Sequence, residues 1–255
     1  RKKLSGFSGK PIVAQRLKRM PTIIDKLKRY PSMQLTTMQD IGGVRAIVDS
    51  IDDVYQLVNN YQKNRRLAHE LVDEKDYIKH PRNEDGYRSI NLIYKYNNIQ
   101  APSYNGLRLE LQIRSKLQHT WATAVETMGT FLGQALKSRQ GDQEWLDFFA
   151  LTSSAFAWQE NSQRVPRYEQ LTKNETFMKV ANSQSNLKEK KKMTGFSVAV
   201  DNIGKKSTGK SGSYHLIILD SINGTVQIQA FDRRNFKDAV EEYSRYEEEA
   251  AKGKK

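Results

Sequence analysis

The residues best suited to chemistry in this sequence begin with a basic stretch, RLKRMPTIIDK, whose first residue is Arg16. The pattern over residues 12–29 predicts a helix. On that helix Arg16, Thr22 and Lys26 would lie near one face. Because cations and a hydroxyl share this stripe, the stretch is suited to binding a triphosphate.

Two further stretches place carboxylates beside cations. In DIGGVR, Asp40 is followed by two glycines, which permit close approach of a ligand, and then by Arg45 on a predicted strand. In ELQIR, Glu110, Gln112 and Arg114 share the polar side of a strand whose other side is apolar. The three stretches together indicate a site for a phosphate-bearing ligand.

A polar turn, HPRNEDG, ends at Tyr87 immediately before an apolar strand. Pro81 and the Asp85-Gly86 pair are turn signals, and Gly86 can adopt a positive φ. The turn is interpreted as a flexible, charged loop with Tyr87 at the edge of a sheet. A tyrosine there either packs within a hairpin or offers a flat surface to a ring of the ligand.

The charge of the chain is concentrated near its start. The net charge is +13, and residues 1–29 hold ten Lys and Arg side chains against one acid, Asp25. Such a block indicates a polyanionic partner, either nucleotide phosphates or nucleic acid, or else a solvated basic face.

Composition excludes several other classes. There is no cysteine, so disulfides and thiolate metal sites are ruled out, and the four histidines are too scattered to predict a metal site. No apolar run reaches the length of a membrane span and no secretory leader is visible. We therefore expect a cytoplasmic protein that has no membrane partner.

The elements around the candidate residues predict an α+β fold, a mixed β-sheet flanked by helices. VRAIVDS (44–50) is a predicted strand, and Ser50 with Asp53 forms a capping box before a helix. ELVDEKDYI, SINLIYKY and LRLELQIR are further strands. From Ser115 to about Ser162 the pattern is helical, and its predicted core anchors are Trp121, Trp145, Phe148, Phe149 and Trp158.

Three segments are expected: a main domain over 1–165, a helical or linker segment over 166–193, and a small β-rich module over 194–255. The module has strands at GFSVAVD, SYHLIILD and TVQIQAF, a hairpin turn at Asn223-Gly224 and a charged helix from about Asn235. GKKSTGKS (204–211) matches a phosphate-binding loop pattern. Because a strand follows it instead of a helix, we interpret it as a loop between strands.

Taken together, the motifs resemble those of the RelA/SpoT (p)ppGpp synthetase family over residues 16 to about 130. The matching positions are Arg16, Lys18, Thr22, Ile23 and Lys26 for R-x-K-x-x-x-S-I-x-x-K; Asp40, Gly43 and Arg45 for D-x-x-G-x-R; Tyr77, Pro81, Arg82, Gly86, Tyr87 and Ser89 for Y-x-x-x-P-K…G-Y-x-S-x-H; and Glu110, Gln112, Ile113 and Arg114 for E-x-Q-I-R.

The resemblance implies a nucleotidyltransferase-like synthetase domain in which ATP donates its β,γ-pyrophosphate to a ribose 3′-hydroxyl, with Mg²⁺ as cofactor. It implies that Asp40 and Glu110 are catalytic metal ligands, with Glu110 alternatively the base, and that Tyr87 stacks on the acceptor base. The remaining implied contacts are Arg16, Lys18, Thr22 and Lys26 to the ATP phosphates, Arg45 to adenine, and Arg82, Ser89, Asn91, Gln112 and Arg114 to the acceptor.

Two departures from the family pattern fall on the acceptor side: Asn91 replaces a histidine, and one extra residue lies between Arg82 and Gly86. No hydrolase domain precedes the motifs, so a synthetase-only form is expected. MPTI, MQDIGG and LQHTWATAVE look like the toxic small alarmone synthetases, including CapRel-like fused toxin–antitoxin proteins. Members of that branch pyrophosphorylate the 3′-CCA end of tRNA.

The preferred expectation is therefore a toxin that modifies the tRNA acceptor end and blocks translation. Its C-terminal module would be regulatory or antitoxin-like and would sense an antitoxin or a phage protein. The tRNA backbone would contact Lys2, Lys3, Lys10, Lys28 and Arg29. The alternatives are a (p)ppGpp or (p)ppApp synthetase that uses GDP, GTP or adenine nucleotides, and a non-catalytic RNA-binding module.

Overall fold

The computed structural model describes residues 11–18, 20–63, 67–187, 214–220 and 225–251. The chain divides into two compact units, Arg1–Ala122 with Asp147–Val180 and Thr123–Leu146 with Ala181–Lys255.

A five-stranded mixed sheet forms the centre of the first unit. Its strands are β1 (Ile12–Leu17), β2 (Gly42–Val48), β3 (Glu70–Asp76), β4 (Ile90–Lys95) and β5 (Arg108–Ser115). Their order across the sheet is β1-β2-β5-β4-β3. Strands β2 and β5 run parallel, whereas the other neighbours are antiparallel. The predicted α+β fold on a mixed sheet is therefore confirmed.

Five helices are described between the strands of this sheet and after them. They are α1 (Met20–Arg29), α2 (Ile51–Gln62), α3 (Lys116–Leu132), α4 (Gln143–Gln159) and α5 (Lys173–Asn186). The capping box predicted for α2 is present, since Ser50 accepts from the Asp53 amide and Asp53 accepts from the Ser50 amide. No helix in the described ranges is long and apolar enough to cross a membrane.

The prediction of one helix over 12–29 is wrong. Residues 12–17 form β1, which pairs with β2, and the helix starts only at Met20. Pro21 explains the boundary, because proline is tolerated in the first turn of a helix and breaks the helix when it lies further inside. Arg16 and Lys18 therefore belong to β1 and its end, while Thr22 and Lys26 lie on α1.

The two faces of the sheet have different roles. On one face, Val54, Leu57 and Val58 of α2 pack against a cluster of buried strand residues, namely Ala46, Val48, Ile90, Leu92, Tyr94, Leu111 and Ile113. On the other face, the strand register sets Arg45, Gln112 and Asn91 side by side, because directly paired residues share a face. The polar residues singled out by the motifs thus lie opposite the core.

The helical region after β5 is divided into α3 and α4. Gly133, with φ of +63°, follows the end of α3, and a short 3₁₀ turn covers Leu136–Ser138. The predicted anchors Trp121, Trp145, Phe148 and Phe149 are buried. Trp158 is only half-buried: its Nε1 donates to Thr176, and Arg164 lies 4.3 Å from its ring centroid.

In the second unit, β6 (Tyr214–Asp220) and β7 (Thr225–Phe231) form an antiparallel pair, and α6 covers Phe236–Ala251. Both strands and the charged helix were predicted. GFSVAVD, the Asn223-Gly224 turn and residues 204–211 lie outside the described residues. The segment that follows 204–211 is strand β6, as the interpretation of that motif required.

The turn before Tyr87 is held in place by many contacts, which corrects the expectation of a flexible loop. Arg82 donates to both oxygens of Asp85, at 3.1 and 2.5 Å, and Asp85 is only 2% exposed. Gly86 has a φ of +78°, and its carbonyl accepts from Ser153 on α4 at 2.6 Å. Arg167 donates to Asn83 and to the Glu84 carbonyl.

Gly86 allows a comparison between backbone strain and close packing. A Cβ at Gly86 would lie 2.7 Å from the Ala150 Cα and 2.8 Å from the Ser153 Cβ, whereas one at Gly106 (φ +90°) meets nothing within 4 Å. We expect Gly106→Ala to lower the free energy of unfolding by about 1 kcal/mol, from strain alone. Gly86→Ala should cost about 1–3 kcal/mol more, because α4 blocks the new methyl group.

Urea unfolding of Gly86→Ala and Gly106→Ala measures the loss of stability in each variant. Equal losses of stability would show that the turn is not packed against α4.

Candidate active site

Asp40 is held between two lysines at the end of β1 and on α1. Lys18 Nζ donates to Oδ2 at 2.7 Å and Lys26 Nζ donates to Oδ1 at 2.9 Å. The Lys18 side chain is 9% exposed and Asp40 is 19% exposed. Burial alone would raise the pKa of Asp40, but the two lysines outweigh burial and hold the pKa below its ordinary value of 3.8.

Glu110 lies on β5, where its backbone pairs with Gly43 on β2. Its two carboxylate oxygens are bound by neutral amides: Asn91 Nδ2 donates to Oε1 at 2.9 Å, and Gln112 Nε2 donates to Oε2 at 2.8 Å. Gly43 presents no side chain beside this carboxylate. Asp40 and Glu110 thus lie near the N-terminal ends of two adjacent parallel strands.

Arginines surround the Gln112 amide. Its Oε1 accepts from Arg45 Nε at 3.3 Å and from Arg114 Nη2 at 2.5 Å. Arg114 is 2% exposed, and its Nε has no hydrogen-bond partner among the described residues. A buried guanidinium beside a carboxylate site favours an anionic ligand.

Tyr87 combines packing with an accessible, charged environment. Its ring contacts Tyr77 edge-on at 5.4 Å and Trp121 at 6.3 Å between centroids. The Arg82 guanidinium lies over it at 4.5 Å, and that of Arg114 lies at 5.9 Å. Tyr87 remains partly exposed, so its ring is both a packed aromatic and a surface on which cations already stack.

The predicted site residues are therefore brought together only in part. Asp40, Lys18 and Lys26 form one cluster; Glu110, Gln112, Asn91, Ser89, Arg45, Arg114 and Tyr87 form a second, connected by hydrogen bonds and ring contacts.

Several predicted residues stay outside both clusters. Thr22 shares a face of α1 with Lys26. Arg29 pairs with Asp25, and Lys28 is exposed. Lys2, Lys3 and Lys10 lie outside the described residues, as does the side chain of Arg16.

Sequence reasoning missed the support behind Tyr87. Arg88 is 2% exposed and forms an ion pair with Glu160 just beyond the end of α4. Glu160 also accepts from Ser115 at the end of β5, and Arg88 donates to Ser162 at 3.0 Å. An arginine placed between two motif residues, Tyr87 and Ser89, was the available signal.

No group of three or more His, Cys, Asp or Glu side chains that could hold a metal occurs in the described ranges. Two carboxylates, Asp40 and Glu110, are the acidic groups of the site. That number suits Mg²⁺, which proteins usually bind through one or two carboxylates together with the phosphates of the substrate.

Residues 15–129 match the family described as a region found in RelA / SpoT proteins. This part of the chain is similar to the RelA/SpoT proteins. The match includes Asp40, Glu110 and Tyr87 and ends within α3, so the expected resemblance is confirmed over these residues. The toxic branch of the family stays a prediction.

Proteins similar to this region include two from Bacillus subtilis. GTP pyrophosphokinase YjbM is 34% identical over 118 residues, which are 46% of this chain and 54% of YjbM. GTP pyrophosphokinase YwaC is 33% identical over 114 residues, which are 42% of this chain and 52% of YwaC. The chain therefore spans about half the length of each of these relatives.

A solved structure has a similar fold. It is small alarmone synthetase 1 from Bacillus subtilis bound to its product pppGpp, with a TM-score of 0.51 and 26% identity. The similarity covers 63% of this chain and 84% of that chain.

The ion cluster at Asp40 makes a testable contribution to stability. Because the pKa of Asp40 is lowered in the folded state, its stabilisation exists above the ordinary pKa and is lost as pH falls through the folded value. We expect Asp40→Asn to lower the free energy of unfolding by about 1 kcal/mol at pH 7, since the pair is partly solvated. The difference should shrink below pH 3.8.

Asp25→Asn is the matched control, because Asp25 is 61% exposed and pairs with Arg29 on the same helix. Its effect should be smaller at every pH. A larger effect at Asp25 than at Asp40 would contradict the account of this cluster.

Proposed function

We propose that the chain transfers the β,γ-pyrophosphate of ATP to a ribose 3′-hydroxyl. The observation that carries this proposal is the position of Asp40 between Lys18 and Lys26, on the same edge of the sheet as Glu110. The names of the relatives support it, since two of them are called GTP pyrophosphokinases.

The two lysines would bind the triphosphate. Their ammonium groups lie close together, because both donate to the Asp40 carboxylate. That carboxylate also pairs their charges, which would otherwise be costly to bury. A triphosphate carries more negative charge than Asp40 and would attract the lysines away from it. Thr22 lies on the same face of α1 as Lys26 and would add a hydroxyl.

Release of Asp40 from the lysines would leave its oxygens for Mg²⁺. Bound there, the metal would neutralise charge on the transferred phosphates. Asp40 would hold it, with Glu110 as the second protein ligand unless Glu110 is the base, and the substrate phosphates would supply further oxygen ligands. Arg45, which already donates to Gln112, would stack on the adenine.

In the transfer step, the acceptor 3′-oxygen forms a bond to the β-phosphorus of ATP. The bond between that phosphorus and the oxygen bridging to the α-phosphorus breaks, and AMP leaves with the electron pair. Glu110 either takes the proton of the 3′-hydroxyl or serves as the second metal ligand. The amides of Asn91 and Gln112 hold its carboxylate in one orientation for either role.

The acceptor would stack on Tyr87, with Arg82 and Arg114 near its phosphates. We propose the 3′ end of tRNA as the acceptor, because the chain departs from the family pattern on this side, at Asn91 and in the extra loop residue. The exposed Lys28 on α1 would contact the tRNA backbone. A 3′ end blocked by pyrophosphate could not receive an amino acid, so such transfer would stop translation.

A guanine nucleotide is the second candidate acceptor. The relatives named GTP pyrophosphokinases and the related structure bound to pppGpp favour it. The proposed donor chemistry is the same in both cases, because the two candidates differ only in the molecule that carries the ribose.

Incubation with γ-³²P-ATP decides between them. The labelled γ-phosphate moves with the pyrophosphate, so we expect label in tRNA and AMP as the other product. Label in GDP or GTP, with none in tRNA, would replace the tRNA proposal by the guanine-nucleotide one. Transfer to neither acceptor, with no AMP formed, would reject the proposed function.

Two variants test the assignment of the carboxylates. Asp40→Asn and Glu110→Gln should each reduce transfer by at least about 100-fold, since each removes a charge at a metal-assisted centre. Asp25→Asn, which alters a carboxylate of α1 outside both clusters, should retain activity. Near-normal transfer by either site variant would reject that residue as part of the site.

The salt dependence of tRNA binding tests the basic surface. Lys28→Gln should weaken binding, and the slope of log affinity against log salt should fall in magnitude by about 1, for one lost phosphate contact. Lys63→Gln is the matched control, because it removes an exposed lysine at the end of α2, on the core side of the sheet. Identical slopes for the two variants would contradict a tRNA contact at Lys28.

A further inference from the structure

Asn91 connects Glu110 to Ser89 and Tyr87 within the second cluster. It lies on β4, is 6% exposed and is paired with Gln112 across the sheet. Its Oδ1 accepts from Ser89 Oγ at 2.8 Å and lies 3.4 Å from the Tyr87 hydroxyl. At its other end, Nδ2 donates to Glu110 Oε1 at 2.9 Å.

The orientation of this amide follows from the chemistry of its partners. An ionised carboxylate only accepts hydrogen bonds, so the amide nitrogen must face Glu110. The hydroxyls of Ser89 and Tyr87 can donate, and they therefore meet the amide oxygen. A neutral amide keeps this direction of donation at every pH at which the protein is folded, because it does not titrate.

Two side-chain amides thereby donate to Glu110, and the oxygen of each amide accepts hydrogen bonds from further residues. Gln112 receives donors from Arg45 and Arg114, while Asn91 receives them from Ser89 and, over a longer distance, Tyr87. The Asn91 side reaches the proposed acceptor platform directly at the Tyr87 hydroxyl, whereas the Gln112 side reaches it through Arg114, which lies 5.9 Å from the Tyr87 ring. A ring that stacks on Tyr87 would therefore act on the residue that orients Glu110.

We propose that Asn91 is a positioning residue: it sets the orientation of Glu110 and links Glu110 to Tyr87 through the Tyr87 hydroxyl. This inference rests on the proposed pyrophosphate transfer, and it replaces the direct acceptor contact predicted for Asn91. Since Asn91 acts through Glu110, its loss should lower kcat and leave the KM for ATP and for the acceptor nearly unchanged. A residue that touched the acceptor would raise the acceptor KM.

Other charged groups share this face of the sheet with Glu110 and stay constant in the variants below. By the strand register they are Arg16 on β1, Arg45 on β2, Glu70, Asp73 and Lys75 on β3, Lys95 on β4, and Arg108 and Arg114 on β5. If a substitution at Asn91 changes the pH dependence of stability or of kcat, the change is therefore attributed to the contact between residue 91 and Glu110.

The first test measures the contact without using activity. Asn91→Asp sets two carboxylates together, which raises the pKa of the pair. A carboxyl group whose pKa is raised by folding destabilises the protein as pH rises, so this variant should lose stability relative to wild type as pH rises above the ordinary carboxyl pKa of about 4. The double variant Asn91→Asp/Glu110→Gln exchanges donor and acceptor, and it should recover most of the loss.

Asn97→Asp, at an exposed position just after β4, adds the same charge and should show no such loss. A double variant no more stable than Asn91→Asp would show that Asn91 does not bind Glu110, and the inference would fall.

The second test uses pyrophosphate transfer. Asn91→Ala should lower kcat about 10- to 100-fold, as for other residues that orient a metal-site carboxylate. Asn91→Asp should move the acidic limb of the kcat–pH profile upward by roughly one pH unit or more, while Asn97→Asp follows wild type. Unchanged profiles for both aspartate variants, or a raised acceptor KM with unchanged kcat, would overturn the positioning role.

The stability test and the transfer test distinguish failure of the proposed function from failure of the contact between Asn91 and Glu110. If the wild-type protein transfers no pyrophosphate to any acceptor, the proposed function and the catalytic part of the inference both fail. The exchange of donor and acceptor then still decides whether Asn91 fixes Glu110.

Discussion

The parallel pairing of β2 with β5 is the constraint on which the site depends. It sets Gly43 opposite Glu110 and Arg45 opposite Gln112, and it brings the start of β5 beside the segment that carries Asp40. The core under α2 maintains this register, since a shift by one residue would turn the apolar strand residues towards the site. Packing on one face of the sheet therefore determines chemistry on the other.

The two carboxylates at this edge are stabilised by different means. Asp40 is neutralised by two ammonium groups, which a polyphosphate can attract away. Glu110 accepts hydrogen bonds from two neutral amides, which a phosphate has little reason to displace. One carboxylate is thus exchangeable and the other fixed, which is the division expected when one group must be released by the arriving substrate and the other must already be oriented.

Local sequence patterns predicted strands β2 to β7, the capping box of α2 and the Gly86 turn, because each depends on neighbouring residues. The predicted helix over 12–29 is wrong because Pro21 is tolerated only in the first turn of a helix, so the helix begins at Met20. The polar composition of the turn before Tyr87 indicates a flexible loop, yet Ser153 and Arg167, which are distant in sequence, fix the turn by hydrogen bonds. The bond between Asn91 and Glu110 depends on the pairing of β4 with β5, which no local pattern encodes.

The most direct test of this account is a crystal structure with Mg²⁺ and a non-hydrolysable ATP analogue. The account predicts that the Nζ atoms of Lys18 and Lys26 contact phosphate oxygens, that Asp40 binds the metal, and that Glu110 keeps its bonds to Asn91 and Gln112. A triphosphate bound elsewhere on the protein, with Asp40 still paired to both lysines, would contradict it.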